Sequence, residues 1–158
     1  MILTLLSTED PRLRQPSADV SEVELASVET QKLIDEMIAT MRAQKNGVGI
    51  AAAQIGVNKR IIIVDHNGKG EHVYINARLS DASKQMVESE EGCFSVPGTW
   101  GLVQRHKKIH LKALDRTGKK INRKATGFEA VVLQHEIDHT DGILFIDHDV
   151  EITRRQQM

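Results

Sequence analysis

Two histidines and a glutamate occupy one short segment near the end of the chain, His135-Glu136-Ile137-Asp138-His139. On a helix, residues four positions apart lie one turn apart on the same face, so both imidazoles can bind one metal ion. Glu136 lies about 100° around the helix from His135, where a carboxylate can act as a base without being a ligand. Because H-E-x-x-H also arises by chance on surface helices, its chemistry depends on a third ligand and a buried setting.

Cys93, the only cysteine of the chain, is the candidate for that third ligand. A catalytic metal site of this kind has three protein ligands and one open position. A lone cysteine is usually a small buried hydrophobe, but three of the five residues before Cys93 are acidic, which is not a core composition. A thiolate and two imidazoles suit zinc or ferrous iron. The sequence therefore predicts a metal site formed by Cys93, His135 and His139.

A third segment, Gly47 to Gln54, is rich in glycine and alanine. Its G-x-G pattern could suggest phosphate binding, but the segment follows a predicted helix and has no lysine or acidic partner. Small residues instead favour a strand that another backbone approaches closely. Gln54 adds a neutral amide donor that could stabilise an oxyanion.

These three segments together resemble the peptide deformylase family. The family motifs G-x-G-x-A-A-x-Q, E-G-C-x-S and H-E-x-x-H correspond here to Gly47–Gln54, Glu91–Ser95 and His135–His139, in the family's order and spacing. The similarity extends over nearly the whole chain. Two positions depart from the family pattern, because Phe94 and Thr140 stand where leucine is common. Both lie beside the predicted ligands, so we expect them to affect substrate preference more than chemistry.

The resemblance implies hydrolysis of the formyl group of N-formylmethionyl peptides, with release of formate, at one divalent metal ion. The family commonly uses ferrous iron, and zinc fits the same ligands. Glu136 would take a proton from the attacking water and return one to the leaving amine. Gln54 and the backbone N–H of Phe94 would stabilise the oxyanion. The implied substrates in the cell are nascent chains at the ribosome.

The resemblance also implies how the peptide binds. The backbones of Val48, Gly49 and Gly92 would pair with it as an added strand. Val48, Val131 and Val132 are candidates for the pocket of the methionine side chain, with an ordinary core role as an equal alternative. Ile50 and Phe94 are expected to close the site beyond the formyl carbon.

Two other functions are compatible with parts of this pattern. One is an H-E-x-x-H metalloendopeptidase, although such zinc proteases take a histidine or glutamate as third ligand rather than a cysteine. The other is an inactive peptide-binding module with a structural metal, which would require neither Glu136 nor Gln54.

Two further residues also have two interpretations each. Arg105 either pairs with Glu91 or is solvated, and Asp138 either orients a residue of the site or faces water.

The elements that must position these residues follow from hydrophobic periodicity and turn signals. Thr126 and Glu129 match a capping box at the start of the last helix, and Asp141-Gly142 is a stop signal. That helix is apolar on both sides, which is typical of a helix buried between layers. The predicted elements are a helix over about Val23–Gln44, strands over Arg60–Asp65, Val73–Asn76, Lys107–Leu114 and Lys119–Lys124, a turn over His66–Gly70, and the last helix from Thr126.

We therefore predict an α+β fold, with mixed or antiparallel strands packed around a central C-terminal helix and with an N-terminal helix. The 158 residues, 40% hydrophobic and 27% charged, fit one catalytic domain, residues 1–158. The net charge of −1 predicts no direct binding of nucleic acid. The apolar stretch Ile2–Leu6 is too short to cross a membrane, and the single cysteine fits a reducing cytoplasm.

Overall fold

The structure, a computed structural model, describes residues 1–65 and 68–155. The predicted turn over His66–Gly70 therefore lies partly outside the described residues. The helices are α1 (Glu22–Ala26), α2 (Val28–Ala43) and α3 (Gly127–Thr140), with 3-10 turns at Pro11–Arg14, Ala52–Ile55 and Phe145–Asp147. The strands are β1 (Gly49–Ala51), β2 (Ile61–Val64), β3 (His72–Ala82), β4 (Met86–Cys93), β5 (Val96–His106), β6 (Lys108–Leu114), β7 (Lys120–Thr126) and β8 (Glu151–Arg155).

The strands form two sheets, and every described strand pair is antiparallel. The larger sheet has the order β1-β2-β3-β6-β7, and the smaller has the order β4-β5-β8. Strand β1 is thus an edge strand of one sheet, and β4 is an edge strand of the other. The predicted α+β class is confirmed.

Helix α3 is buried along most of its length, as its apolar pattern predicts. Ala130, Leu133 and Ile137 pack against residues of the larger sheet such as Ile62 and Leu111. Because residues on the other side of α3 are buried as well, including the histidines, the helix lies in the interior rather than on the surface. The metal-binding motif is therefore carried by a central helix.

Helix α2 covers the opposite face of the larger sheet. Ile34, Met37 and Met41 are fully buried and belong to one core cluster with Ile61 and Ile63 of β2. The strand β2 is therefore buried on both faces, which explains its unbroken apolar sequence.

The prediction of a single helix over Val23–Gln44 is wrong in one respect. This segment forms two helices, α1 and α2, which meet at Ser27. The Ser21 hydroxyl accepts the N–H of Glu24 at 3.1 Å at the start of α1. The Ser27 hydroxyl accepts the N–H of Thr30 at 3.2 Å at the start of α2. A serine side chain that bonds to the backbone favours a helix start over a helix interior.

The predicted capping box at Thr126 is also wrong. Helix α3 does begin after Thr126, but this side chain makes no capping hydrogen bond and instead donates to the carbonyl of Lys107 at 3.3 Å. Glu129 forms an ion pair with Arg123. Tertiary partners thus replace the local capping bonds that the sequence pattern suggested.

The strands of the smaller sheet, β4, β5 and β8, were not among the predicted elements. Strand β4 alternates polar and acidic residues with little apolar content, so its sequence shows no core-facing pattern. All residues of β8 are exposed. Among the described residues, none of the helices is long and apolar enough to span a membrane.

Candidate metal centre

Three side chains converge where the end of β4 meets α3. One ligand atom from each of Cys93, His135 and His139 lies within 4.8 Å of the other two. The Cys93 sulfur is 3.3 Å from His139 Nε2, and the two histidine rings meet edge to face at 5.0 Å between centroids. Both histidines are buried, and Cys93 is half-buried. The structure thus brings the three predicted ligands together.

The chemistry of this group fits a divalent metal ion. A thiolate and two imidazoles are the ligands that zinc and ferrous iron accept. Burial, followed by the charges of neighbouring residues such as His135 and Arg105, lowers the pKa of His139 well below its usual value. Its imidazole is therefore neutral, which is the form that binds a metal.

The orientation of His135 is set by a buried carboxylate. His135 Nδ1 lies 2.8 Å from Glu91 Oε1, which leaves Nε2 directed toward Cys93 and His139. A carboxylate on the far nitrogen is the usual way to fix a metal-binding imidazole. The sequence motifs contain Glu91, but nothing in its position indicated this contact with His135, 44 residues away.

Glu91 is in turn held by Arg105. The guanidinium donates two hydrogen bonds to the Glu91 carboxylate, at 2.8 and 2.7 Å, and Arg105 is only 3% exposed. Burial opposes the charge on Glu91, but hydrogen bonds from Arg105 and His135 outweigh it and lower its pKa to about 2. The interpretation that Arg105 pairs with Glu91 is confirmed, and the solvated alternative is wrong.

The ionic chain continues past Arg105 to the surface. Arg105 donates to Asp138 Oδ2 at 2.6 Å, and His148 Nε2 lies 2.8 Å from the same oxygen. Asp138 therefore orients a residue of the site's surroundings, which is one of its two predicted roles. The sequence carries no signal for His148, because its partners are distant in the chain.

Glu136 lies beside the three ligands with a carboxylate oxygen that has no partner. The side chain is 4% exposed, and among the described residues nothing hydrogen-bonds its Oε1. Burial raises the pKa of Glu136 to about 7, with smaller opposing effects from His135 and Arg105. A buried carboxylate without a partner is costly, so this oxygen is available to water or substrate.

The backbone of Gly49 makes room for this carboxylate. A Cβ on Gly49 would lie 2.5 Å from Glu136 Oε2, closer than any van der Waals contact allows. Strand β1 therefore approaches α3 too closely for a side chain at position 49, and the predicted need for a small residue is explained by the Glu136 side chain.

The Gln54 amide is oriented toward the same centre. Its Oε1 accepts the N–H of Ala51 at 2.9 Å, and its Nε2 lies 3.5 Å from the Cys93 sulfur and 3.3 Å from Ser95 Oγ. The carbonyl contact fixes which end of the amide faces the site, so Gln54 presents a donor. Ser95 is a neighbour of the site that the sequence analysis did not identify.

Cys93, His135, Glu136 and Gln54 line a cleft of about 600 Å³ between β1, β4 and α3. All predicted substrate-binding residues border it, together with Phe94, which lies in the turn after β4. Val132, a residue of α3, also packs in the core, which confirms its core role, and its contact with the methionine side chain stays a prediction. The residues on the cleft wall that the sequence predicted are Val48, Gly49, Gly92, Phe94, Val131 and Val132; those that it missed include Lys45, Trp100, Phe128 and Arg154.

Trp100 forms the wall behind Gly92. A Cβ on Gly92 would lie 2.7 Å from the indole ring, so only glycine leaves the ring in place. The Arg154 guanidinium lies 4.7 Å from the ring centroid and pairs with Glu90 at 3.0 Å. Strand β8 therefore contributes Arg154 to the cleft wall, because β8 pairs with β5 and Arg154 lies opposite Trp100.

The prediction that Ile50 helps to close the site is wrong. Ile50 is fully buried but packs in the α2 core, because side chains alternate along β1 and Gly49 takes the face toward α3. Phe94 does border the cleft. Thr140, the other departure from the family pattern, is buried and donates to the Ile137 carbonyl of its own helix at 2.5 Å.

Comparisons with known proteins agree with this geometry. The polypeptide deformylase family model matches residues 2–156. A peptide deformylase of Halothermothrix orenii is 45% identical over 152 residues, with 96% of each chain covered. Among solved structures, a class I type b peptide deformylase from Acinetobacter baumannii matches with a TM-score of 0.90 and 37% identity, over 94% of this chain and 99% of that one. A structure of the same A. baumannii enzyme with bound Met-Ala-Ser matches with a TM-score of 0.88 and 36% identity, over 94% of this chain and 98% of that one. The chain therefore belongs to the polypeptide deformylase family.

Proposed function

We propose that this chain hydrolyses the formyl group of N-formylmethionyl peptides, releasing formate, with one divalent metal ion held by Cys93, His135 and His139. The observation that carries the proposal is the convergence of these ligand atoms within 4.8 Å, directly beside the unpartnered carboxylate oxygen of Glu136. A structural metal site would have no use for that oxygen. Membership of the deformylase family supports the substrate.

The metal that we propose is ferrous iron, with zinc as the alternative that the same ligands accept. When bound, such an ion acts as a Lewis acid toward the formyl oxygen and makes water a better nucleophile near neutral pH. The neutral His139 is in the form that binds a metal, and Glu91 orients His135. Burial opposes the charge of His135, but its contacts with Cys93 and Glu91 raise its pKa well above the usual value, so the metal would displace a proton from it. Metal analysis of protein purified without oxygen distinguishes the two ions.

Glu136 is the proposed general base and acid. It would remove a proton from the attacking water and deliver one to the nitrogen of the leaving peptide as the C–N bond breaks. A pKa near 7 suits both transfers, and the open Oε1 is the oxygen that would carry the proton. Because Gly49 has no side chain, it leaves space for this carboxylate beside the ligands.

The oxyanion would be stabilised by two donors of the chain. The Gln54 amide is held with its Nε2 toward the site by the Ala51 contact, so it requires no reorientation during the reaction. The backbone N–H of Phe94, directly after the cysteine ligand, is the second proposed donor.

The two edge strands offer a place for the substrate backbone. Strand β1 borders the cleft from one sheet and β4 from the other. An extended peptide can add to such an edge by main-chain hydrogen bonds, here at Val48, Gly49 and Gly92. Val131 and Val132 border the same cleft and would contact the methionine side chain.

The biological substrates that we propose are nascent chains at the ribosome, with the cytoplasm as the site of action. A reactive thiol in the site is compatible with a reducing compartment. We further propose that residues 1–158 act as one catalytic domain. Helix α3, which packs against strands of both sheets, supports that view.

The test is a comparison of three substrates: formyl-Met-Ala-Ser, its acetyl analogue, and an unmodified peptide with internal bonds. We expect formate release from the first, much slower hydrolysis of the second, and no cleavage of the third. The added methyl of the acetyl group must fit where a formyl group has only hydrogen. Comparable cleavage of an internal bond would favour the endopeptidase, and binding without hydrolysis would favour the inactive peptide-binding module.

A further inference from the structure

Charge is distributed very unevenly along this chain. Residues 107–126 hold eight of the 21 lysines and arginines and only one of the 22 acidic residues, Asp115. This segment therefore carries a formal charge of +7, and the other 138 residues together carry −8. The net charge of −1, from which we predicted no contact with nucleic acid, averages over these two parts and conceals the segregation.

The structure folds this segment into the hairpin of β6 and β7. Side chains alternate along both strands, so Ile109, Leu111, Ala113 and Ala125 pack in the core beneath α3. The lysines occupy the alternate positions, which are exposed. We define the basic face as Lys108, Lys112, Lys120 and Lys124.

The basic face is not neutralised by nearby carboxylates. Among the described residues, none of its four ammonium groups forms a salt bridge within 4.0 Å. In the neighbouring strand β3, Arg78 lies opposite Lys112 and pairs with Asp19 at 2.7 Å. Asp81 lies opposite His110 and accepts the N–H of Ala82 at 2.9 Å. The four lysines of the basic face therefore outnumber these two nearby acids, Asp19 and Asp81, and the face keeps an excess of positive charge.

The composition of the face favours one kind of partner. Three of the four lysines have polar neighbours, since Lys108 pairs in register with Thr126, Lys112 with Asn122, and Lys124 with His110. The fourth, Lys120, pairs with Leu114, which is half-buried against the core under α2. None of the large exposed hydrophobic residues of the described chain lies in the hairpin, whereas binding in a membrane interface requires an apolar face. An aromatic platform for unpaired bases is also missing from the face. A cationic, polar surface without these features fits a phosphate backbone.

We propose that the basic face of the β6–β7 hairpin binds the phosphate backbone of a nucleic-acid duplex, independently of base sequence. Within each strand, the two lysines are four residues apart, a distance of about 13 Å at ~3.3 Å per residue. That length matches the rise of roughly four base pairs. Two adjacent rows of lysines can therefore contact several consecutive phosphates at once.

The position of the basic face leaves the cleft free. The cleft is bordered by α3, β1 and β4, whereas the lysines lie on the side of β6 and β7 that faces away from α3. A bound duplex and a bound peptide would therefore occupy different sides of the larger sheet. The duplex-binding proposal does not depend on the proposed hydrolysis, and either can fail alone.

The experiment is a titration of fluorescently labelled RNA and DNA duplexes of the same sequence, measured by anisotropy in 50 to 200 mM salt. With about four phosphate contacts, the affinity should fall by about 10² over this range. Equal binding of the two duplexes would show that the ligand is the phosphate backbone that RNA and DNA share. Tighter binding of one duplex would show which of the two nucleic acids the face prefers. Vesicles of anionic phospholipid are titrated in parallel.

A charge-reversal pair tests the surface itself. We expect Lys112→Glu with Lys124→Glu to weaken duplex binding by at least about tenfold, because four units of charge change at the contact. The matched control, Lys69→Glu with Arg155→Glu, makes the same change of charge at exposed positions elsewhere and should retain most of the affinity. Both pairs should hydrolyse formyl-Met-Ala-Ser at the wild-type rate, which shows that they are folded.

Three results would overturn the proposal. One is a lack of binding to either duplex at 50 mM salt. Another is an equal loss of affinity in the control pair, which would show that only total charge matters. The third is binding to the anionic vesicles without binding to the duplexes, which would identify the face as a membrane-surface contact.

Discussion

The two sides of the metal centre are built by different forces. On the helix side, His135, Glu136 and His139 belong to a helix whose neighbours are buried aliphatic side chains. On the strand side, Cys93 ends a polar strand, and its surroundings are held by the Glu91–Arg105 ion pair and the Gln54 amide. Aliphatic packing is strong but not directional, whereas ionic hydrogen bonds are directional and depend on each partner.

This difference predicts how each side fails. A change on the helix side should affect folding where it removes packed interior atoms, and chemistry alone where it removes only the unpartnered carboxylate of Glu136. A change on the strand side should move groups around the metal, and it should also lower stability where it leaves a buried charge without its partner.

The largest effect is expected from loss of a ligand on either side. Cys93→Ala and His139→Ala should both purify with substoichiometric metal and without measurable hydrolysis, because three ligands leave no redundancy. Metal analysis and formate release measure this. In metal-free protein, His139→Ala should unfold at a lower temperature than Cys93→Ala, because His139 is buried and Cys93 is half-buried. Full metal occupancy in Cys93→Ala would show that the third ligand is elsewhere.

The next effect concerns Glu136, which lies on the helix side but is not a proposed ligand. Glu136→Ala should keep its metal and its peptide affinity, while turnover falls by about 10²–10⁴. The removal of a buried carboxylate without a partner should not destabilise the fold. Near-normal turnover in a variant with full metal content would exclude Glu136 as the base.

On the strand side, the corresponding change is the loss of Arg105. Arg105→Met leaves the Glu91 carboxylate buried without its cation, which should lower the free energy of unfolding by about 3–5 kcal/mol. The control is Arg78→Met, whose ion pair with Asp19 is about half exposed and should contribute less than about 1 kcal/mol. Chemical denaturation measures both. Similar losses in the two variants would mean that the buried ion pair has no special structural role.

Two glycines allow a smaller and more selective comparison. Gly49→Ala places a methyl against Glu136, and Gly92→Ala places one against the Trp100 ring. We expect the first to lower kcat by about 10- to 100-fold through displacement of the base, with KM little changed. The second should mainly raise KM, because Trp100 is a wall of the cleft. Steady-state kinetics on formyl-Met-Ala-Ser measure both constants. A change of kcat alone in both variants, or of KM alone in both, would contradict the separate roles of the two glycines.

The smallest effect is expected at the end of the ionic chain. His148 is about one-third exposed and contacts Asp138, so its hydrogen bond competes with water. His148→Ala should change the free energy of unfolding by less than about 1 kcal/mol. His148→Gln, which can still donate to Asp138, should be closer to the wild type in the same denaturation assay. A loss as large as that of Arg105→Met would show that the chain acts as one unit up to the surface.

Much of the helix side could be predicted from the sequence. The apolar pattern and the stop at Asp141-Gly142 placed α3 within a residue or two of its bounds. The i, i+4 spacing of His135 and His139 then determines that they share a face. These are local properties, set by helix geometry and independent of the rest of the molecule.

The strand side was predicted much less well. Strands β4, β5 and β8 have mixed polar sequences, because one face of the smaller sheet meets solvent and its pattern is weak. The Cys93 ligand was found through its motif, yet the His135–Glu91 contact and the Trp100 wall were not. Ile50 was assigned to the wrong face of β1, since a three-residue strand shows no readable alternation.

By itself, the sequence determined the residue types at the metal centre, the helix that presents two of them, and the strong segregation of charge into residues 107–126. Only the tertiary structure decided that Cys93 meets His139, 46 positions away, that Glu91 orients His135, and that the lysines of the hairpin share one open face. The physical reason is range. Helix periodicity and charge content are written in neighbouring residues, whereas contacts between β4 and α3 depend on how two sheets pack around a shared helix.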